Sequence, residues 1–183
     1  ETGTFVIASQ ITSGNIKITK ANAENNEALI EKIKLVGSRV YSENECLTIG
    51  GAKKTNAIDI ETAVYPGFAT DIQPMWMALM TISSGESIIT ETIFENRFQT
   101  AGELIKMGAD IKIKGNFAVV KGVKELTGAK VVACDLRSAA SLILAGLSAV
   151  GTTEITGLEY LDRGYENFVG KLKNLGADIK RIR

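Results

Sequence analysis

The sequence predicts an α/β (α+β) protein assembled from three related units. Amphipathic helical stretches run through a glycine into apolar-alternating strands over residues 29–40, 104–111 and 172–179. Their glycines, Gly37, Gly108 and Gly176, fall 71 residues apart (37 to 108) and 68 (108 to 176). A second set of helical stretches ends at Gly14, Gly85 and Gly151 and runs into strands 16–19, 87–90 and 152–156, with spacings of 71 (14 to 85) and 66 (85 to 151). Two independent markers sharing one period define a repeat. No solenoid signature mixes helix and strand at such a period, so the units are expected to close around a pseudo-threefold axis rather than stack in a line.

Each unit reads helix, strand, helix, strand, strand. The units cover about residues 1–64, 65–128 and 129–183. In the second, Ile72, Met75, Trp76, Leu79 and Met80 form the i, i+3, i+4, i+7, i+8 stripe of a buried helix face. Leu136, Ala140, Ile143, Leu144 and Leu147 repeat that stripe in the third. Both stripes are read as core. The terminal glycines sit where a helix end takes a left-handed residue. Residues 112–121 alternate around Gly115-Asn116, a two-residue hairpin turn. The first unit opens directly in its helix and the last stops in the first strand of its closing pair, so the fold is expected to be incomplete at both ends. No Pro/Gly/Ser-rich linker divides the chain, which is read as a single domain, 1–183.

Composition excludes several functions. The chain has 183 residues, long enough to bury roughly two-thirds of its surface on folding. Twenty-one Lys+Arg against 21 Asp+Glu leave no net charge to attract nucleic acid or an anionic membrane. There is no histidine, which removes Ser-His-Asp and Cys-His catalysis and every His-ligated metal site from this chain. Cys46 and Cys134 fit no Cys-x-x-Cys pattern and read as reduced thiols of a cytoplasmic protein. No apolar run approaches the ~20 residues of a membrane span. No Walker or dinucleotide-binding glycine motif is present, and neither cofactor nor metal is expected.

Polar residues gather at the helix starts. Thr70-Asp71-Ile72-Gln73 has the spacing of a capping box, and Cys134-Asp135-Leu136-Arg137 opens the counterpart helix one unit later. Arg97 follows Phe94-Glu95-Asn96 and Arg163 follows Leu161-Asp162, so the two arginines lie 66 residues apart (97 to 163) at equivalent places in the repeat. From spacing alone, Asp71 and Asp135 are helix caps worth ~1 kcal/mol each, and the arginines pair with their neighbours Glu95 and Asp162. The alternative is a shared face of helix N-termini and guanidinium forks that suits a small anion.

Four stretches carry a resemblance: residues 66–73 (Pro-Gly-Phe-Ala-Thr-Asp-Ile-Gln), residues 90–98 (Thr-Glu-Thr-Ile-Phe-Glu-Asn-Arg-Phe), Asp135-Leu136-Arg137 with Ala140-Ser141-Leu142, and residues 162–166 (Asp-Arg-Gly-Tyr-Glu). With these the chain resembles the enolpyruvyl transferase family, in particular its members that act on UDP-N-acetylglucosamine. The likeness runs over essentially the whole chain and is weakest before Tyr65. It implies a carboxy-terminal domain of three βαβαββ-type units with helices partly buried inside sheets. It also implies transfer of the enolpyruvyl group of phosphoenolpyruvate to the sugar 3′-hydroxyl, the first committed step of peptidoglycan synthesis. The family's amino-terminal segment, and the domain whose mobile loop carries a reactive cysteine, are expected to be missing from this chain. Cys134 takes no such role, and the isolated domain is expected to be inactive. The resemblance implies Asp71 as general base, Asp135 as a second catalytic carboxylate and Arg163 as the residue gripping phosphoenolpyruvate, with Ile93, Arg97 and Arg137 also contacting substrates. Pro74 departs from the family pattern and is expected to remove one early helix hydrogen bond. A stand-alone binding module of the same fold, and a transferase acting on shikimate 3-phosphate, are the alternatives.

Overall fold

The computed structural model describes residues 1–182; Arg183, the last residue of the third predicted unit, lies outside the described residues. The first unit runs α1 (Thr2–Ile11), β1 (Asn15–Thr19), α2 (Glu27–Val36), β2 (Arg39–Glu43) and β3 (Cys46–Gly50). The second begins earlier than the expected residue 65, with β4 (Ile60–Glu61), which pairs with β5, and runs on through a 3₁₀ turn (Thr70–Ile72), α3 (Gln73–Met80), β5 (Glu86–Thr90), α4 (Gln99–Lys106), β6 (Asp110–Lys114) and β7 (Phe117–Lys121). In the third, β8 (Lys130–Val132) and α5 (Leu136–Ser148) lead to β9 (Glu154–Thr156), a 3₁₀ segment (Leu158–Arg163) and α6 (Phe168–Asn174). The predicted order recurs, carried by sheets ordered β1-β3-β2, β4-β5-β7-β6 and β8-β9.

One predicted strand is missing. Residues 177–182, which follow Gly176, are in no strand. β2 and β6 exist because β3 and β7 return antiparallel along them, from Arg39↔Gly50 to Glu43↔Cys46 and from Asp110↔Lys121 to Lys114↔Phe117. Among the described residues no strand returns along 177–182, and a lone extended segment has nothing to pair its N–H and C=O groups with. The predicted hairpin around Gly115-Asn116 does form, with Gly115 at φ 60°.

α1, α3 and α5 pack against one another pairwise and form the centre of the molecule, while α2 lies on β2 and α4 packs between α5 and the strands β6 and β8. The stripe predicted for the α3 region understates its burial: every residue from Gln73 to Met80 is buried, Met77 and Ala78 included. Nine of the ten α1 residues are likewise buried. A helix enclosed by other elements on all sides needs apolar residues all round. Trp76 lies edge-on to Phe68 at 5.4 Å, and its indole N–H donates to the Ile58 carbonyl at 3.3 Å. Fully burying such side chains stabilises the fold by about 1.5–3 kcal/mol each.

Gly37, Gly85, Gly108, Gly151 and Gly176 all have the positive φ expected of helix ends. Gly14 does not, because Ser13, at φ 52°, takes the left-handed place one residue earlier. Pro74 removes no bond. It sits in the first turn of α3, where an N–H has no helical acceptor, and its own carbonyl accepts the Ser141 hydroxyl at 2.7 Å. No helix among the described residues is long and apolar enough to cross a membrane.

Candidate active site

The starts of α3 and α5 meet, and the charged residues ahead of them form one cluster. Arg137 holds the Asp71 carboxylate with two parallel bonds, Nε to Oδ1 at 2.9 Å and Nη2 to Oδ2 at 2.8 Å. Arg97 reaches the same carboxylate from the other side, Nη2 to Oδ1 at 3.4 Å, and approaches Asp135 Oδ2 at 4.0 Å. The Arg97 side chain is only 6% exposed, whereas that of Asp71 is 53% exposed. Burial of this guanidinium is supported by the Phe94 ring, 4.3 Å beneath its Cζ, and by the Thr70 hydroxyl, which accepts from Nε at 3.2 Å.

These contacts correct three expectations. Asp71 caps no helix: neither the 3₁₀ turn nor α3 has a side-chain cap, and the Asp71 carboxylate is held by Arg137 and Arg97 instead. The capping box is not formed: Thr70 donates its hydroxyl to Glu91 at 2.9 Å, and both polar atoms of the Gln73 side chain are buried without a partner. Thr70 lies inside the 3₁₀ turn rather than before it, so its side chain turns away from the free N–H groups. The arginines do not pair with their sequence neighbours either. Arg97 turns inward to Asp71, and Asp162 binds Arg181 with bonds of 2.7 and 2.5 Å. Asp135 is the N-cap it was expected to be, accepting from Ser138 N at 2.7 Å.

The Arg137 hydrogen bond holds the Asp71 carboxyl below its usual 3.8, against partial burial that pushes it up and with help from the charges of Arg137 and Arg97. Arg137 is raised in turn by the same bond. Held this way, Asp71 is ionised and a weak base, and the group occupying it is the one best shaped to receive phosphate or carboxylate.

Ile93 is half-exposed at 45%, and its amide donates to Glu91 Oε1 at 2.8 Å, so that N–H is already taken. Arg163 is exposed, with its Cζ 5.5 Å from the Tyr160 ring, and it makes no ion pair among the described residues. It does lie at the same end of α5, because the next residue, Gly164, packs on Leu136. The structure thus joins Asp71, Asp135, Arg97 and Arg137 directly, while the Arg163 side chain lies over Tyr160 and makes no ion pair with them.

Sequence reasoning missed Glu91, Thr62 and Tyr165. Tyr165 donates to or accepts from Thr4 Oγ1 at 2.7 Å, and burial pushes its phenol up. A lone Glu after a strand or a Tyr before a helix carries no spacing signal; only inclusion in the family-like stretches marked them. No group of three or more metal-ligating side chains occurs among the described residues.

Carboxylates and guanidiniums thus meet at converging helix starts of an α/β fold with buried helices. Comparisons with known proteins give the family. Residues 1–172 match the family described as EPSP synthase (3-phosphoshikimate 1-carboxyvinyltransferase), and the chain belongs to that family. It is 50% identical over 183 residues to the UDP-N-acetylglucosamine 1-carboxyvinyltransferase of Geobacter metallireducens, spanning all of this chain and 44% of that relative. The enolpyruvyl transferase NikO from Streptomyces tendae superposes with a TM-score of 0.87 at 26% identity, over 98% of this chain and 43% of NikO. EPSP synthase from Acinetobacter baumannii shares the fold at 18% identity, with a TM-score of 0.75 over 98% of this chain and 43% of its own. The chain therefore spans less than half the length of the relatives it matches.

Proposed function

We propose that this chain forms one wall of the active site of a cytoplasmic transferase that moves the enolpyruvyl group of phosphoenolpyruvate to the 3′-hydroxyl of UDP-N-acetylglucosamine, committing material to peptidoglycan and so to bacterial cell-wall growth. The observation carrying this reading is the Asp71–Arg137–Arg97–Asp135 cluster, in a chain 50% identical to an enzyme of that name. The other wall comes from sequence that the relatives have beyond this stretch, and the chain alone is inactive; turnover of both substrates by the isolated chain would refute that.

The chemistry follows from the groups. The sugar hydroxyl oxygen bonds to C2 of phosphoenolpyruvate, C3 takes a proton, and a tetrahedral adduct forms. Loss of phosphate from C2 and of a proton from C3 then restores the double bond. Asp71 accepts the hydroxyl proton at Oδ2, which carries one Arg137 bond and keeps a lone pair free, and it is a stronger base once Arg137 gives up a bond. An arriving phosphate or carboxylate competes for Arg137, so substrate binding itself raises the basicity of Asp71. Arg163, exposed and without an ion pair among the described residues, grips phosphoenolpyruvate; Arg97, only 6% exposed, acts through Asp71 by orienting it; the Ile93 backbone meets the sugar nucleotide; Asp135 balances Arg97.

Asp71→Asn in the full-length protein tests this. Turnover should fall on the order of 10²–10³-fold with nucleotide binding nearly unchanged, and wild-type turnover removes Asp71 as base. A competition titration with shikimate 3-phosphate checks the acceptor, since the family description names that substrate class.

A further inference from the structure

Glu91 is a buried carboxylate that the reaction outlined above does not use. It follows β5 and is 5% exposed. Its Oε1 accepts from the Thr62 hydroxyl at 2.7 Å, the Ile93 amide at 2.8 Å and the Phe94 amide at 3.0 Å. Its Oε2 accepts from the Thr70 hydroxyl at 2.9 Å. Thr70 Oγ1 accepts in turn from Arg97 Nε at 3.2 Å, and Arg97 reaches Asp71. A carboxylate taken out of water is strongly unfavourable unless its lone pairs are met, and here neutral donors from three separate segments meet them. The two oxygens have different tasks. One pins the loop that begins at Ile93, and the other pins the hydroxyl that orients the buried guanidinium.

We propose that Glu91 is the positioning residue of this wall: through Oε1 it fixes the Ile93–Phe94 loop that meets the sugar nucleotide, and through Oε2 and Thr70 it fixes Arg97 against Asp71. The assignment of substrates to those two arms rests on the transferase reading given above. The arms separate by chemistry. Glu91→Gln keeps a carbonyl oxygen for the three Oε1 donors but turns an amide NH₂ toward Thr70, so the loop stays held while the Thr70 hydroxyl loses its acceptor. Glu91→Ala releases both arms. Thr70→Val breaks the Arg97 arm from its other end.

In the full-length protein, Glu91→Gln should lower kcat by about 100-fold, the effect of misplacing a reacting group by roughly 1 Å, with KM for the sugar nucleotide within about threefold of wild type. Thr70→Val should lower kcat similarly, and adding it to Glu91→Gln should lower kcat less than about threefold further, because both act on one arm. Glu91→Ala should also raise the nucleotide KM by about tenfold or more. A folded Glu91→Gln protein with wild-type kcat, or fully additive losses with Thr70→Val, overturns the Arg97 arm. Amide hydrogen exchange at Ile93 and Phe94 reads the other arm without turnover: it should quicken in Glu91→Ala and stay slow in Glu91→Gln, and equal rates in both overturn it. If the wild-type protein transfers no enolpyruvyl group, the functional reading fails while the exchange contrast still decides whether Glu91 holds the loop.

Discussion

The same corner of the repeat is built twice, in the second unit and in the third, and only one copy is locked. Thr62 N donates to the Thr90 carbonyl at 2.9 Å, and Ala133 N donates to the Thr156 carbonyl at 2.9 Å, so the residues that follow those carbonyls, Glu91 and Gly157, correspond. In the second unit this place holds a carboxylate tied to Thr62, Thr70 and the loop amides. In the third, Ala133 has no hydroxyl to offer, and a side chain could not stand at Gly157. Its φ is 78°, and a Cβ there would lie 2.2 Å from the Ala133 carbonyl oxygen. The downstream arginines differ accordingly: Arg97 is buried and oriented, Arg163 exposed and free of carboxylates among the described residues. The repeat fixes where the backbone turns, and side chains at the turn decide what the arginine does. A locked guanidinium orients groups already in place, while an exposed one can move to meet an arriving anion.

The strongest test of this contrast grafts one corner onto the other. Gly157→Ala, and more so Gly157→Glu, should destabilise the protein by about 3 kcal/mol or more, since the added carbon would lie 2.2 Å from the Ala133 carbonyl oxygen and the left-handed conformation adds strain for alanine or glutamate. Urea denaturation measures it, and a loss under ~1 kcal/mol would mean the third corner can accept a side chain and the contrast is accidental. Next in size is Arg97→Ala, expected to lose about 2–3 kcal/mol because Thr70 and Asp71 each lose one of their partners and the Phe94 ring loses the guanidinium above it, with Asp71's exposure and its remaining Arg137 bonds keeping the loss below that of a fully buried pair. Arg163→Ala should change stability by no more than about 0.5 kcal/mol, as for an ordinary surface residue. It should instead weaken phosphoenolpyruvate binding well beyond that of the nucleotide. Equal stability losses for the two arginines would erase the difference between the corners.

Much of this could be read in the sequence, for identifiable reasons. Glycine markers and apolar periodicity are local signals, so the helix and strand order and the Gly115-Asn116 hairpin appear where expected. What failed depended on partners distant in sequence. The strand after Gly176 has the right pattern but no neighbour among the described residues, and strand formation is a property of pairs. Thr70 and Gln73 have capping-box spacing, yet a carboxylate 21 residues away claims the hydroxyl. Equivalent spacing placed Arg97 and Arg163 alike, but their surroundings turn on Glu91 against Gly157, a difference invisible in a period. The family-like stretches contain the residues of the cluster but do not reveal that Arg137 occupies the Asp71 carboxylate.

That occupation supplies the smallest and most specific test. Asp71 titrates below its usual 3.8 because Arg137 hydrogen-bonds it, so the pair stabilises the fold fully above that value and loses its contribution as pH falls through the lower, folded-state value. The pair is half-exposed, which limits it to less than ~1 kcal/mol near neutral pH. Arg137→Gln should therefore melt only about 1–4 °C below the wild type near neutrality, given the size of the chain. The gap should close as acid protonates Asp71. Arg163→Gln is the control from the other corner: with no carboxylate partner among the described residues, its small offset from wild type should not change with pH. A gap for Arg137→Gln that persists in acid would mean its guanidinium stabilises the fold through packing on α5 rather than through Asp71, and the competition for Arg137 that activates the carboxylate would lose its basis.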